Sequence, residues 1–187
     1  MTQWNDESNE RNRYSGFTLV EISIVLIIIG LLLGGVMKGQ ELIGNSKIKA
    51  TQSEIHQWAS MVYAYQDKEG KLPGDDNRQG IAHPGNGDGT IGTDERQPLF
   101  EHLKDEGLIT GNYDGSNYPS SKWGGKIVID DNQAGMGGLS VCYYGLEYSV
   151  ATLLDKKMDD GSGATGDVRR STKDAYTDTD NTVCFRF

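Results

Sequence analysis

Residues 16–21 read Gly-Phe-Thr-Leu-Val-Glu, and they open an apolar run that extends from Phe17 to Val36. These twenty residues contain one charge, the carboxylate of Glu21. A helix of about 20 residues, at about 1.5 Å per residue, spans roughly 30 Å, the thickness of the hydrocarbon layer of a bilayer. A carboxylate in that layer costs on the order of 2–3 kcal/mol, so Glu21 needs a partner. The run therefore predicts a membrane-spanning helix with one partnered carboxylate.

This amino terminus resembles that of a type IV prepilin, in which a polar leader ends in glycine and the mature chain begins at the next residue. The resemblance implies that residues 1–16 are the leader. It also implies that a prepilin peptidase cuts after Gly16 and methylates the new terminal amine of Phe17. Glu21 would then pair with the terminal amine of a neighbouring subunit during assembly. In a medium of low dielectric such a pair is stabilised, whereas either charge alone is strongly penalised.

The leader and the end of the apolar run differ from the common pattern. Residues 1–16 are longer than the leaders of chains whose mature form begins with Phe, and they are acidic, while Lys38 stands where many members have proline. These differences leave the subclass open. The alternatives are an ordinary signal anchor and a Glu21 that lies near the headgroups. A secretory signal peptide fits less well, because its apolar core has about 7–15 residues and its cleavage site follows that core.

Composition sets the class of protein. Without residues 1–16 the chain has 171 residues, with 24 acidic and 16 basic side chains and a net charge of −8. That balance, without a long basic cluster, argues against general nucleic-acid binding. The roughly 150 residues after the apolar run are ordinary for one domain. Arg11 and Arg13 predict that the amino-terminal end stays in the cytoplasm and that most of the chain lies outside it.

The two cysteines, Cys142 and Cys184, predict a disulfide, because that is the default outside the cytoplasm. Many pilins close a carboxy-terminal loop in this way. A loop of about 43 residues contributes roughly 4 kcal/mol in the chain-entropy model. Two free buried thiols are the alternative.

Helical periodicity continues beyond the apolar run and predicts one helix over residues 17–69, about 80 Å long. Its second half has an apolar face, formed by Leu42, Ile43, Ile48, Ile55, Trp58, Ala59, Val62 and Tyr65. Four glycines lie near the middle: Gly30, Gly34, Gly35 and Gly39. They predict bending or melting during assembly, or close helix–helix packing in the membrane, and both remain open.

Residues 73–95 form a polar, glycine-rich loop, and the stretch from Pro84 to Glu95 resembles an EF-hand calcium loop in register. Calcium loops need side-chain oxygens on alternate residues, a glycine at the sharp turn, here Gly89, and a terminal bidentate carboxylate. The predicted ligands are Asp76, Asn86, Asp88, Thr90 and Glu95. The first position is Pro84, so Asp75 or Asp76 would have to fold back to fill it. A turn cluster without metal is the alternative.

The rest of the chain predicts short elements. They are a helix over 97–106, strands over 126–130, 138–143 and 182–187, a helix over 147–157, and turn-rich segments between them. His56, His83 and His102 lack zinc-site spacing and are interpreted as structural or exposed. Seven aspartates between Asp155 and Asp180 are interpreted as a solvated face rather than a second metal site.

The resemblance implies an α+β, type IV pilin-like fold, with a long amino-terminal helix on an antiparallel sheet, short extra helices and a disulfide-closed carboxy-terminal region. The predicted domains are the leader 1–16, the transmembrane and fibre-core half-helix 17–40, and the head 41–187. The predicted function is that of a structural, non-enzymatic subunit of a pilus-like filament.

The resemblance also implies partners and a location. The partners are other copies of the chain, the prepilin peptidase, an inner-membrane platform with an ATPase, and the membrane before assembly. The location is the inner membrane for the precursor, then an extracellular pilus or a periplasmic pseudopilus. The alternatives are a minor pilin, a secretion pseudopilin and a membrane-anchored binding domain that never polymerises.

Overall fold

The computed structural model describes residues 16–172, 175–176 and 181–187. The predicted leader therefore lies outside the described residues, apart from Gly16. The chain divides into two compact units, an amino-terminal one that ends at Gly44 and a carboxy-terminal one from Asn45 to Phe187.

One helix, α1, runs from Leu19 to Glu69, which confirms the predicted long helix with a start two residues later. It is continuous through the four central glycines, and a Cβ placed on any of them meets nothing within 4 Å. Gly70 ends the helix in the left-handed region, at φ +70°, and its N–H donates to the carbonyl of Gln66 at 2.8 Å.

The described residues of the carboxy-terminal unit form six further α-helices and β-strands. They are α2 (Pro98–Asp105), β1 (Ile127–Asp131), β2 (Leu139–Leu146), α3 (Tyr148–Met158), β3 (Val168–Arg170) and β4 (Asn181–Arg186). The strands form one antiparallel sheet in the order β1-β2-β4-β3. Each predicted helix and strand is found with its ends shifted by up to three residues. The predicted pilin-like α+β fold is confirmed.

The main core of this unit joins the second part of α1 to the sheet and to α2. Ile48, Ile55, Trp58, Val62 and Tyr65 recur every three to seven residues and are all buried, so they form one helical face. Other members of this core include Leu99, Phe100, Leu103, Ile127, Ile129, Val141, Tyr143, Val183 and Phe185. This packing fixes α2 and the loop before it.

A smaller apolar cluster is built around the disulfide. Cys142 and Cys184 are bonded and buried, which confirms the predicted pairing. The β1–β2 connection covers them with Ala134 and Met136, which are 5% and 7% exposed. The Arg186 guanidinium holds this connection by donating to the carbonyl of Met136 at 3.1 Å.

Candidate functional sites in the amino-terminal segment and the polar loop

The residues on each side of the predicted cleavage point are open. A Cβ on Gly16 would meet nothing within 4 Å, and the Phe17 side chain is 84% exposed. Among the described residues, no side chain therefore shields this peptide bond.

Thr18 and Glu21 form a reciprocal cap at the start of α1. The backbone N–H and the hydroxyl of Thr18 donate to Oε2 of Glu21 at 2.8 and 2.7 Å, and the Glu21 N–H donates to the Thr18 hydroxyl at 3.2 Å. This is a capping box, in which two side chains satisfy amides that the first helical turn leaves unpaired. The Thr-Leu-Val-Glu spacing is its usual signature, which sequence reasoning missed. In the isolated chain the Glu21 carboxylate therefore has local partners.

Among the described residues of the amino-terminal unit, 16–44, nothing covers the apolar start of α1. The large apolar side chains from Phe17 to Ile43 are between 45% and 89% exposed. The helix is long and apolar enough to cross a membrane by length and composition. Transfer of such a surface from water into an apolar environment is strongly favourable, at about 25 cal/mol per Å². The segment therefore needs an apolar environment that the described residues of this unit do not supply.

The polar loop closes on itself through two carboxylates. Asp75, which is 1% exposed, accepts hydrogen bonds from the amides of Asp88 at 2.9 Å and Gly89 at 2.8 Å. Glu95, which is 6% exposed, accepts from the amides of Asn86 at 2.8 Å and Gly92 at 2.7 Å. Thus Asp75 is the residue that folds back onto the fifth and sixth positions of the predicted calcium loop.

Asp76 lies elsewhere. Its buried carboxylate accepts hydrogen bonds from the Tyr65 hydroxyl at 2.8 Å and from the amide and guanidinium of Arg78. Burial alone would raise the pKa of Asp76, but these bonds outweigh it and hold the pKa below its ordinary value. Arg78 also pairs with Glu69 at the end of α1. Asp76 therefore fastens the loop to α1 and does not lie with the other predicted ligands.

The remaining predicted ligands form local turns. Asn86 accepts from the Asp88 amide at 2.8 Å, and Asp88 accepts from the amide and hydroxyl of Thr90 at 2.9 and 2.7 Å. Asp75, Asp88 and Glu95 supply hard carboxylate oxygens of the kind that calcium prefers. Their ligand atoms do not all lie within 4.8 Å of one another. The residues fit calcium by chemistry, with Asp75 in place of Asp76, and binding stays a prediction.

The aspartates that were interpreted as a solvated face include one buried residue. Among the described residues, one group of at least three acidic, His or Cys side chains has all its ligand atoms within 4.8 Å of one another. Its members are Asp155, Asp159 and Asp160. Burial raises the pKa of Asp155, which accepts from the Gly161 amide and the Tyr176 hydroxyl. The interpretation is therefore wrong for Asp155, whose carboxylate holds a turn. Asp174, Asp178 and Asp180 lie outside the described residues.

The three histidines differ in environment. His56 is exposed on α1, whereas His102 is 2% exposed on α2. His102 accepts the Gly74 amide at Nδ1, at 2.9 Å, so its proton lies on Nε2, which contacts the carbonyls of Ala82 and His83. Both agree with their interpretation as structural or exposed. His83 contacts Glu101 across two segments, which spacing along the chain does not reveal.

Comparison with known proteins supports the amino-terminal assignment. Residues 11–37 match the model of the prokaryotic N-terminal methylation motif. No curated protein matches the chain, and no solved structure matches it. The motif is typical of type IV pilins and pseudopilins that are processed by prepilin peptidase.

With its long amino-terminal helix, four-stranded antiparallel sheet and carboxy-terminal disulfide, the chain has a pilin-like α+β fold. It is a type IV pilin-like protein that carries the N-methylation motif.

Proposed function

We propose that the chain is a structural subunit of a type IV pilus or pilus-like filament. Prepilin peptidase cuts after Gly16, the new amine of Phe17 is methylated, and copies are assembled from the inner membrane by a platform with an ATPase. The observation that carries the proposal is the exposed apolar start of α1, which lies within the residues that match the methylation motif. Neighbouring helices in a filament replace the lipid around it, so water never needs to contact the run.

Glu21 is the assembly residue in this proposal. Its carboxylate accepts hydrogen bonds from Thr18 in the isolated chain, and these are local contacts that a second partner can replace or share. The methylated amine of Phe17 in a neighbouring copy supplies a positive charge. Such a pair gains most where water is excluded, so it favours a defined stagger between subunits.

A secretion pseudopilin is the second candidate. The observation that favours it is the polar loop, in which Asp75, Asp88 and Glu95 supply carboxylate oxygens of the kind that calcium prefers. This candidate shares the processing and the helix with the first candidate but predicts short periplasmic filaments. The chain as a minor subunit is compatible with either. A membrane-anchored binding domain is the candidate of another class, and it predicts that Glu21 is dispensable. Pilin-like proteins are normally structural and non-enzymatic.

The decisive experiment is to shear producing cells and to measure the intact mass of this protein in the released and membrane fractions. A released chain that begins at Phe17 and carries one extra methyl group supports processing and external assembly. A processed chain found only in membranes favours a pseudopilin. A membrane chain that retains residues 1–16 contradicts the filament proposal and favours an anchored domain. Gly16→Val, which blocks cleavage, provides the matched unprocessed control.

A further inference from the structure

The chain enters the carboxy-terminal unit through a part of α1 whose only charges are positive. Residues 42–53 contain Lys47 and Lys49 and no acidic side chain. Both lysines are exposed, while Ile48 between them is 2% exposed and belongs to the main core. Successive helical residues are about 100° apart, so the two lysines flank the buried face of α1 at the same level along its axis.

Two lysines from other segments lie against the same part of α1. The exposed Lys157, near the end of α3, donates to Oδ1 of Asn45 at 3.1 Å. Nζ of Lys122, which precedes β1, lies 3.6 Å from the carboxylate of Glu54. Residues 45–54 span about 14 Å of helix, and Asn45 is the first residue of the unit. Three separate segments therefore bring their lysines to the point where the chain enters the unit. The lysine cluster consists of Lys47, Lys49, Lys122 and Lys157.

Trp123 holds the segment before β1 in this position. Its indole N–H donates to the hydroxyl of Thr51 at 3.0 Å, and Nζ of Lys47 lies 5.5 Å from the centre of its ring. Thr51 is fully buried, whereas Trp123 is partly exposed. A tryptophan with a bonded N–H beside lysines with long apolar stems is the composition found at the boundary between lipid and water.

The lysine cluster has an excess of positive charge. Its four ammonium groups face one carboxylate within ion-pair distance among the described residues, that of Glu54, and the Lys122 side chain is still 50% exposed. The carboxylates nearest to Lys157 in the chain are occupied by their own turn. Asp155 accepts the Gly161 amide, and Asp159 accepts the Val168 amide. The cluster is therefore complementary to an anionic surface.

The chain connection places one anionic surface close to this cluster. Ile43, the last of the large exposed apolar side chains of the amino-terminal unit, precedes Asn45 by two residues. A bilayer that holds the apolar start of α1 therefore has its headgroups near the point where the carboxy-terminal unit begins. Basic segments beside a membrane-spanning helix are attracted to anionic lipids, and this attraction acts within a Debye length of about 8 Å.

We propose that the lysine cluster docks the carboxy-terminal unit on anionic phospholipid headgroups of the bilayer that holds α1. Lys47, Lys49 and Lys157 donate to lipid phosphates, and Lys122 is shared between Glu54 and the lipid. Ammonium groups bind phosphate as point charges without a fixed geometry, which suits a fluid surface. The proposal rests on membrane anchoring by α1, and it holds whether or not the chain later enters a filament.

The test uses the processed chain, beginning at Phe17, as a single copy in nanodiscs of phosphatidylcholine alone or mixed with phosphatidylglycerol. A water-soluble gadolinium chelate broadens the NMR signals of amides that water reaches. Phosphatidylglycerol should protect the amides of residues 46–50 and 121–124, and high salt should remove this protection. The amide of Gly107, in the segment after α2, should remain unprotected in both lipids.

Lysine variants locate the docking surface. Lys47→Gln/Lys49→Gln should lower the ratio of docked to undocked chains by about ten-fold or more, because each lysine near an anionic surface contributes about five-fold. The matched control is Lys68→Gln/Lys71→Gln, which removes two charges at the end of α1 and just after it, and it should dock like the wild type. Unchanged amide shifts away from the substitutions would establish that both variants are folded.

Three results would overturn the docking proposal alone. They are equal protection in the two lipids, unchanged protection in Lys47→Gln/Lys49→Gln, and protection in phosphatidylcholine that appears only when several chains share a disc. The last result would assign the lysine cluster to contacts with a second copy of the chain. A chain that does not co-elute with the discs would contradict membrane anchoring itself, and docking with it. Anchoring and docking can therefore fail separately.

Discussion

Cys142 and Cys184 occupy directly opposite positions in the register of β2 and β4, with Cα atoms 4.0 Å apart. The disulfide therefore links two residues that the sheet already holds together, and it adds no contact between distant elements. Its effect on the folded sheet is local. Its main contribution should come from restriction of the unfolded chain, in which the two residues are 42 positions apart.

Removal of this disulfide should lower stability without changing the fold. For the double variant Cys142→Ala/Cys184→Ala we expect a loss of about 4 kcal/mol by the chain-entropy model. In a domain of this size that loss lowers Tm by roughly 10 °C or more. Circular dichroism at low temperature checks that the fold is unchanged, and thermal unfolding measures the loss of stability. An unchanged Tm would show that the cross-link contributes nothing beyond the strand pairing.

The ion pair of Asp76 and Arg78 should make stability depend on acidity. The pKa of Asp76 lies below its ordinary value of 3.8, because bonds from Arg78 and Tyr65 outweigh its burial. A carboxyl whose pKa is lower in the folded state contributes stability above pH 3.8, and this contribution is lost as the pH falls through the folded-state pKa. The free energy of unfolding should therefore fall more steeply with decreasing pH in the wild type than in Asp76→Asn.

At pH 7 the free energy of unfolding of Asp76→Asn should be about 2 kcal/mol lower than that of the wild type. This loss is smaller than for a fully buried ion pair, because Arg78 is 40% exposed. Urea unfolding at pH 7 and near pH 3 measures both effects. Asp67→Asn, which changes an exposed carboxylate of α1, is the matched control and should follow the wild type. Parallel pH profiles for wild type and Asp76→Asn would contradict the role assigned to this pair.

The sequence predicts the elements well because their signals are local. Apolar residues at helical spacing mark α1 and α2, and short β-branched runs mark β1 and β4. The contacts that define the loop join residues far apart in the chain, such as Gly74 with His102 and Asp75 with Gly89. Spacing alone cannot choose between Asp75 and Asp76, since both are buried and only the tertiary fold directs one carboxylate to the loop and the other to Arg78.

The hydrogen bonds at the start of α1 do have a local sequence signal. Thr18 and Glu21 have the spacing of a capping box, which predicts their reciprocal hydrogen bonds without any tertiary information. The pair of His83 and Glu101, by contrast, depends on the positive φ of His83 and on the absence of a side chain at Gly115. No periodicity encodes such a pair.

Calcium should raise Tm relative to a chelator if the polar loop binds it. At a calcium concentration 100 times Kd the expected stabilisation is about 2.7 kcal/mol. The shift should disappear in Asp75→Asn and in Asp88→Ala, and it should persist in Asp76→Asn, whose carboxylate lies with Arg78. Comparison of each variant with and without calcium separates the ion's effect from the variant's own loss of stability. An equal Tm for the wild type in calcium and chelator, or the same shift in Asp88→Ala, would exclude the site.

Glu21 and Thr18 allow the assembly role to be separated from the helix cap. Glu21→Ala removes the carboxylate and the two hydrogen bonds that it accepts from Thr18, whereas Thr18→Ala removes the hydroxyl and its two hydrogen bonds and keeps the carboxylate. Loss of a cap costs about 1 kcal/mol, which a long helix tolerates. We therefore expect both variants to be cleaved after Gly16 and only Glu21→Ala to be missing from sheared filaments. Immunoblots of sheared and membrane fractions, with intact masses, measure this. Filament amounts that are equal in Glu21→Ala and wild type would reject the assembly pair, whereas absence of both proteins from the sheared fraction would favour the anchored binding domain.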